Sequence, residues 1–118
     1  MGVFICYDRC STCQKVEKWL TNNKIAFEKR SIKEQNPTIE ELKQWKEQSK
    51  LPLKRFFNTS GLFYRNMNLK DKLETMSEEQ QLELLASDGM LVKRPLFIST
   101  ENVLVGFKEK EWQQLLSE

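Results

Sequence analysis

No histidine occurs anywhere in the 118 residues of this chain. That absence removes Ser-His-Asp and Cys-His catalysis, and any zinc site that relies on imidazole. Long apolar runs are missing as well: no stretch approaches the ~18 residues a membrane span needs. The first residues do not place a charged region before a long apolar run, so no secretory signal is expected. These two absences make the cytoplasm the expected compartment and leave no membrane partner. Charge of one sign is also lacking. The 19 basic and 17 acidic residues are spread along the chain for a net charge of +2. With no basic block standing alone, direct nucleic-acid binding is not expected. The 3 cysteines are an odd number, which argues against a secreted disulfide framework. In a reducing compartment a close cysteine pair is more often catalytic or metal-binding than structural.

What is present reads as one ordinary globular domain over residues 1–118, with 39% hydrophobic and 31% charged residues. That length closes a core without staples. A short apolar strand over Met1–Tyr7 leads to Cys10-Ser11-Thr12-Cys13, and a helix over Thr12–Asn22 carries Val16, Trp19 and Leu20 on one side. The first backbone N–H groups of a helix lack intrahelical partners, and the macrodipole places partial positive charge there. A thiol at that position ionises more readily. Cys10 and Cys13, one turn apart, can close a disulfide and reopen it. Two other readings of the cysteines stand beside this one. The pair can be buried thiols that merely pack, which the flanking Arg9 and Lys15 disfavour. With Cys6 they also spell C-x-x-x-C-x-x-C, a cluster-binding spacing. Cys6, however, falls inside the first strand and reads as a sheet residue.

A second strand over Ile25–Ile32, with Ile25 and Phe27 on one face, completes a β-α-β opening with a right-handed parallel crossover. The cysteines then lie at the carboxyl end of the first strand, where α/β folds place their sites. After Glu34 the pattern turns helical, from about residue 35 to 90. Thr38-Ile39-Glu40-Glu41 and Ser77-Glu78-Glu79-Gln80 both fit capping boxes. The first helix buries Ile39, Leu42 and Trp45, and the second buries Leu82, Leu85 and Ala86. Between them, Leu51–Phe57 reads as a short helix with Pro52 near its start, and another is expected around Lys70. Asn58-Thr59-Ser60-Gly61 and Asp88-Gly89 are breaks. Without a Pro/Gly/Ser-rich linker on either side, this stretch is an insertion rather than a second domain. Leu96-Phe97-Ile98 and Val103-Leu104-Val105 form a hairpin, followed by a helix over Glu109–Leu116 that turns Trp112, Leu115 and Leu116 inward. The order β-α-β, helical insertion, β-hairpin, C-terminal helix is that of a thioredoxin/glutaredoxin-like α/β fold.

Cys10-Ser11-Thr12-Cys13-Gln14-Lys15, the helical insertion, Arg94-Pro95 before the hairpin and the tail Val103-Leu104-Val105-Gly106-Phe107 together resemble the arsenate reductase (ArsC)/Spx family. The resemblance runs nearly end to end and leans towards the reductase-like branch. It implies a thiol-based reductase in which Cys10 attacks an oxyanion or disulfide substrate and Cys13 resolves the intermediate. It also implies anion binding by Arg94, by Lys54 or Arg55, and by Thr12 with the loop amides, and a cis-proline at Pro95. No third arginine of the family's anion site is matched, since Gly106 and Phe107 occupy that neighbourhood. Thioredoxin, glutaredoxin or glutathione is the implied electron donor, with no tightly bound cofactor and no metal. The alternative implied by the Spx branch is a redox-sensing regulator that binds RNA polymerase, with Cys10–Cys13 as its switch.

Overall fold

The computed structural model describes residues Gly2–Ser117. It divides into two compact units, Met1–Ser31 with Arg94–Glu118, and Ile32–Lys93.

The first unit is built on a four-stranded mixed sheet of order β2-β1-β3-β4. Strand β1 (Gly2–Cys6) is central and pairs in parallel with β2 (Phe27–Ser31), with Gly2 opposite Phe27 and Cys6 opposite Ser31. Its other edge pairs antiparallel with β3 (Leu96–Ile98), Ile5 facing Leu96, and β3 pairs antiparallel with β4 (Val103–Val105). Alternation along β1 sends Phe4 and Cys6 to one face. There they join Cys13, Val16 and Leu20 of helix α1 (Ser11–Asn22) with Phe97, Leu104, Trp112 and Leu115 in one buried core. Spacing of three, four and seven residues puts Cys13, Val16 and Leu20 on one stripe. Trp112 sits at the centre, its ring 5.3 Å from Phe107, 5.8 Å from Phe97 and 6.3 Å from Phe4. Its indole N–H donates to the Gly106 carbonyl at 3.0 Å, which satisfies the one polar atom of the buried ring. Trp19 is only half-buried and meets the edge of Phe107.

The elements differ from the sequence reading at their ends, for local reasons. Strand β2 begins at Phe27 rather than Ile25, because the chain is still leaving α1. Lys24 adopts the left-handed conformation (φ 58°), its N–H donates to the Thr21 carbonyl, and the Ile25 N–H donates to Leu20 at 3.0 Å. These bonds satisfy the last carbonyls of the helix. The C-terminal helix is α-helical only over Glu109–Trp112, then tightens to a 3₁₀ turn over Gln113–Ser117. The change of pitch keeps Leu115 buried but turns Leu116 outward, 49% exposed.

In the second unit both capping boxes form. Thr38 and Glu41 exchange bonds of 3.0 and 3.1 Å at the start of α2 (Ile39–Ser49), and Ser77 and Gln80 do the same at α5 (Glu78–Ser87). Leu42, Trp45, Leu82 and Leu85 are buried. Ile39 is exposed, because a first-turn side chain leans back beyond the start of the helix, and Ala86 is only half-buried. Leu51–Phe57 is not an α-helix but a 3₁₀ turn over Leu53–Phe56, after which Phe57 bridges Val92. Two short helices follow, Leu62–Asn66 (α3) and Leu69–Lys72 (α4). The sequence reading placed only the second, since Leu62 and Phe63 face solvent and leave no buried stripe. Gly89 does more than stop a helix. A Cβ there would overlap the Ile32 carbonyl, so only glycine lets the two backbones touch.

Two substitutions separate these backbone effects. Lys24→Gly relieves the left-handed residue and is expected to stabilise the fold by about 1 kcal/mol. Gly89→Ala is expected to cost on the order of 2–3 kcal/mol by forcing two backbones apart. Urea denaturation of the purified variants checks both.

Candidate active site

The chain leaves β1 at Cys6 and returns through a tight turn in which the Cys10 N–H donates to the Tyr7 carbonyl at 3.0 Å. Gln14 Nε2 braces the turn by donating to the Asp8 carbonyl at 2.7 Å. Cys10 is the N-cap of α1, with extended backbone (φ −91°, ψ 120°), and its side chain makes no capping hydrogen bond. The first intrahelical bond runs from the Gln14 N–H to the Cys10 carbonyl. The amides of Ser11, Thr12 and Cys13 therefore have no helical acceptor, and no acidic side chain occupies the first turn. A sulfur stands where most helices carry a capping oxygen, beside a partial positive charge that favours anions.

The two cysteines of the loop are not equivalent. Cys10 is half-buried, whereas Cys13 is 1% and Cys6 2% exposed, and all three are free thiols. The Tyr7 N–H donates to Cys13 Sγ at 3.3 Å. Cys13 shares a buried cluster with Cys6, and Cys10 packs against that cluster. Its interaction with Cys6, followed by burial, pushes the Cys13 thiol well above the ordinary thiol range, against the opposing pull of the Tyr7 amide and Cys10. The same interaction draws Cys6 downward, with burial working against it. Cys6 is the last residue of β1, as its position suggested. It lies in the core on the same face as Phe4, under the helix stripe that starts at Cys13. The sequence held that signal in the two-residue alternation of β1 and the helical spacing of α1. Among the described residues no group of three His, Cys, Asp or Glu side chains is placed to hold a metal ion.

Arg94 reaches this corner through the sheet. Because β3 runs antiparallel to β1 with Leu96 opposite Ile5, the chain just before β3 lies beside the end of β1. The Arg94–Pro95 peptide bond is cis, Pro95 is buried, and its carbonyl accepts the Gly106 N–H at 2.9 Å. The Arg94 guanidinium lies over the Tyr7 ring, 5.1 Å from its centre. Nε and Nη1 of Arg94 are buried without a hydrogen-bond partner among the described residues. Thr12 is exposed at the second position of α1. Lys29 ties the outer edge together through ion pairs to Asp8 (3.1 Å) and Glu17 (3.0 Å), which raise its pKa. Tyr7, whose amide serves the sulfur and whose ring serves the guanidinium, was not singled out in the sequence. Only its position directly after an apolar strand marks it. Lys54 and Arg55 belong to the second unit. There they line a cleft of about 210 Å³ with Pro52, Phe57, Thr59 and Lys93.

Known proteins resemble this chain over nearly its whole length. The ArsC family model matches residues 6–115. The uncharacterized protein YusI of Bacillus subtilis (strain 168) is 54% identical over 94% of each chain. A crystal structure of an ArsC family related protein from Bacteroides fragilis superposes with a TM-score of 0.94 at 54% identity, covering 97% of this chain and 96% of that one. The regulatory protein MgsR of the same Bacillus strain is 29% identical over 95% of this chain and 87% of its own. A four-stranded mixed sheet of thioredoxin-like order, a cysteine pair at the first helix and this end-to-end likeness lead to one assignment: the chain belongs to the ArsC family and is related to Spx, MgsR and arsenate reductase-type proteins.

Proposed function

We propose that this chain is a thiol-based reductase that acts through Cys10 and Cys13 on an oxyanion or disulfide substrate. The observation that carries the reading is Arg94. Two buried guanidinium nitrogens without a partner among the described residues impose a desolvation cost that a bound anion removes, since hydrogen bonds to a charged group are the strong ones. The unpaired amides at the start of α1 offer the same anion a second contact. Thr12, at the second position of that helix, lends its hydroxyl.

The reaction runs in two displacements. With a disulfide, Cys10 Sγ attacks one sulfur and expels the other as a thiolate. Cys13 Sγ then attacks Cys10 Sγ, gives up its proton and releases the reduced thiol, leaving a Cys10–Cys13 disulfide. With an oxyanion, Cys10 Sγ displaces one oxygen, which leaves as water. Attack by Cys13 returns the central atom with the electron pair of the broken bond, reduced by two electrons. In either case two thiols become one disulfide. A thioredoxin, glutaredoxin or glutathione thiol reduces it again. The buried, neutral Cys13 suits this order, because it reacts only once Cys10 brings an intermediate to it.

The likeness to the regulatory protein MgsR and the global transcriptional regulator Spx supports a second reading as a regulator, which the Spx resemblance makes a redox-sensing one that binds RNA polymerase and turns nothing over. One set of assays separates the two. Arsenate and the neutral hydroxyethyl disulfide are supplied with NADPH and either the thioredoxin or the glutaredoxin–glutathione system, and NADPH oxidation is followed. Turnover of at least one substrate, abolished by Cys10→Ser, is expected. Arg94→Ala is expected to lower kcat/KM for an oxyanion by about 100-fold while leaving a neutral disulfide within a few-fold. No turnover, together with capture of RNA polymerase by the oxidised chain, gives the regulator instead. Iodoacetamide on the folded protein is expected to label Cys10 alone by mass spectrometry, with Cys6 and Cys13 reacting only after unfolding. Equal labelling of all three contradicts the division of roles.

A further inference from the structure

We infer that Cys6 is a third redox thiol, which takes over the disulfide from Cys10 by attacking Cys13 inside the core. The inference rests on the reductase reading for how the first disulfide arises, and on the packing of three sulfurs for what happens next.

Cys13 is the shared member of the group. Its sulfur is held by the amide of Tyr7, the residue next to Cys6, and Cys10 lies one helical turn before it. Cys6 and Cys13 lie in the same buried cluster, and Cys10 packs against that cluster from a partly open position. The secondary structure explains why. Cys6 is the last residue of β1, on the face covered by α1, and Cys13 opens the stripe with which α1 covers it. A disulfide of ~2.05 Å then needs the two sulfurs only to meet within the cluster that already holds both residues. The Tyr7 amide, 3.3 Å from Cys13 Sγ, holds the central sulfur in place.

The step is an isomerisation without net oxidation. Cys6 Sγ attacks Cys13 Sγ of the Cys10–Cys13 disulfide. The Cys13–Cys10 bond breaks, Cys10 Sγ leaves with the electron pair, and the proton lost by Cys6 ends on Cys10. The product is a Cys6–Cys13 disulfide with a free Cys10. Both of its sulfurs are at most 2% exposed, so a protein reductant cannot reach them directly. It is reduced only after Cys10 attacks Cys13 and brings the disulfide back to the surface. Oxidising equivalents are thereby held in the interior while the attacking thiol is restored.

The test maps the one thiol that remains after a single oxidation. Full-length protein is oxidised with one equivalent of diamide and quenched in acid. It is then alkylated with N-ethylmaleimide in denaturant at acid pH and digested for peptide mapping. Maleimide on Cys10 is expected in at least about one-tenth of the oxidised monomer, with Cys6 and Cys13 in one linked pair. That share corresponds to two disulfides within ~30 mV of each other. Maleimide on Cys6 alone, with less than about one-hundredth on Cys10, overturns the inference, since it places the internal disulfide more than ~59 mV out of reach. Cys6→Ser is oxidised in parallel and is expected to give a Cys10–Cys13 disulfide with no free thiol. Loss of that disulfide in a variant with an unchanged circular dichroism spectrum counts against the reductase reading instead. A wild-type result of Cys6 label alone beside an intact Cys10–Cys13 pair in the variant leaves the reductase reading standing and removes only the third thiol.

Discussion

A backbone amide pointing at a sulfur organises this corner of the molecule. The Tyr7 N–H donates to Cys13 Sγ across the turn that joins the first strand to the first helix, and it fixes where that helix begins relative to the sheet. With the helix placed, Cys10 falls at its open end, Cys13 faces inward over Cys6, and the Tyr7 ring is left to lie beneath the Arg94 guanidinium. A hydrogen bond of this kind contributes only ~1 kcal/mol to stability. Its larger effect is positional, because it holds the start of the helix, and Cys13 with it, against the end of the first strand.

The division between an open sulfur and a closed one follows from ordinary packing. A helix stripe facing a sheet must be apolar, and Cys13 is the first member of the stripe that includes Val16 and Leu20. Cysteine serves there because a thiol behaves as a small hydrophobe while it keeps its proton. Cys10, one turn earlier, is at the cap and outside the stripe. The chemistry asked of the two residues differs because their surroundings differ, although the residue type is the same.

Much of this was legible in the residues. The strand–cysteine pair–helix opening, both capping boxes and the final hairpin each rest on a local pattern: a period, a hydroxyl three residues before a carboxylate or amide, two short apolar runs around a turn. The readings that missed depended on what no local pattern carries. Ile39 and Leu116 look like core residues by spacing, yet one projects past a helix start and the other follows a change from α to 3₁₀ pitch. Leu62–Asn66 forms a helix with few buried side chains, so it has no stripe to read. Tyr7 carries no local mark because its partners, Cys13 and Arg94, lie six or more residues away in sequence. Gly89 looked like a stop signal, and its reason is a carbonyl 57 residues earlier.

The mixed direction of the sheet has a consequence for how such a chain tolerates change. Since β3 runs opposite to β1 with Leu96 locked beside Ile5, the position of Arg94 is set by a ladder of hydrogen bonds. The 62 residues of the second unit, Ile32–Lys93, take no part in that ladder. Their length and sequence can drift, gaining a turn here or losing one there, while the arginine stays beside the end of the first strand. Loop closure becomes only slowly more costly as a connection lengthens. A site assembled in this way leaves the intervening chain open to acquire new surfaces without disturbing the sulfur chemistry.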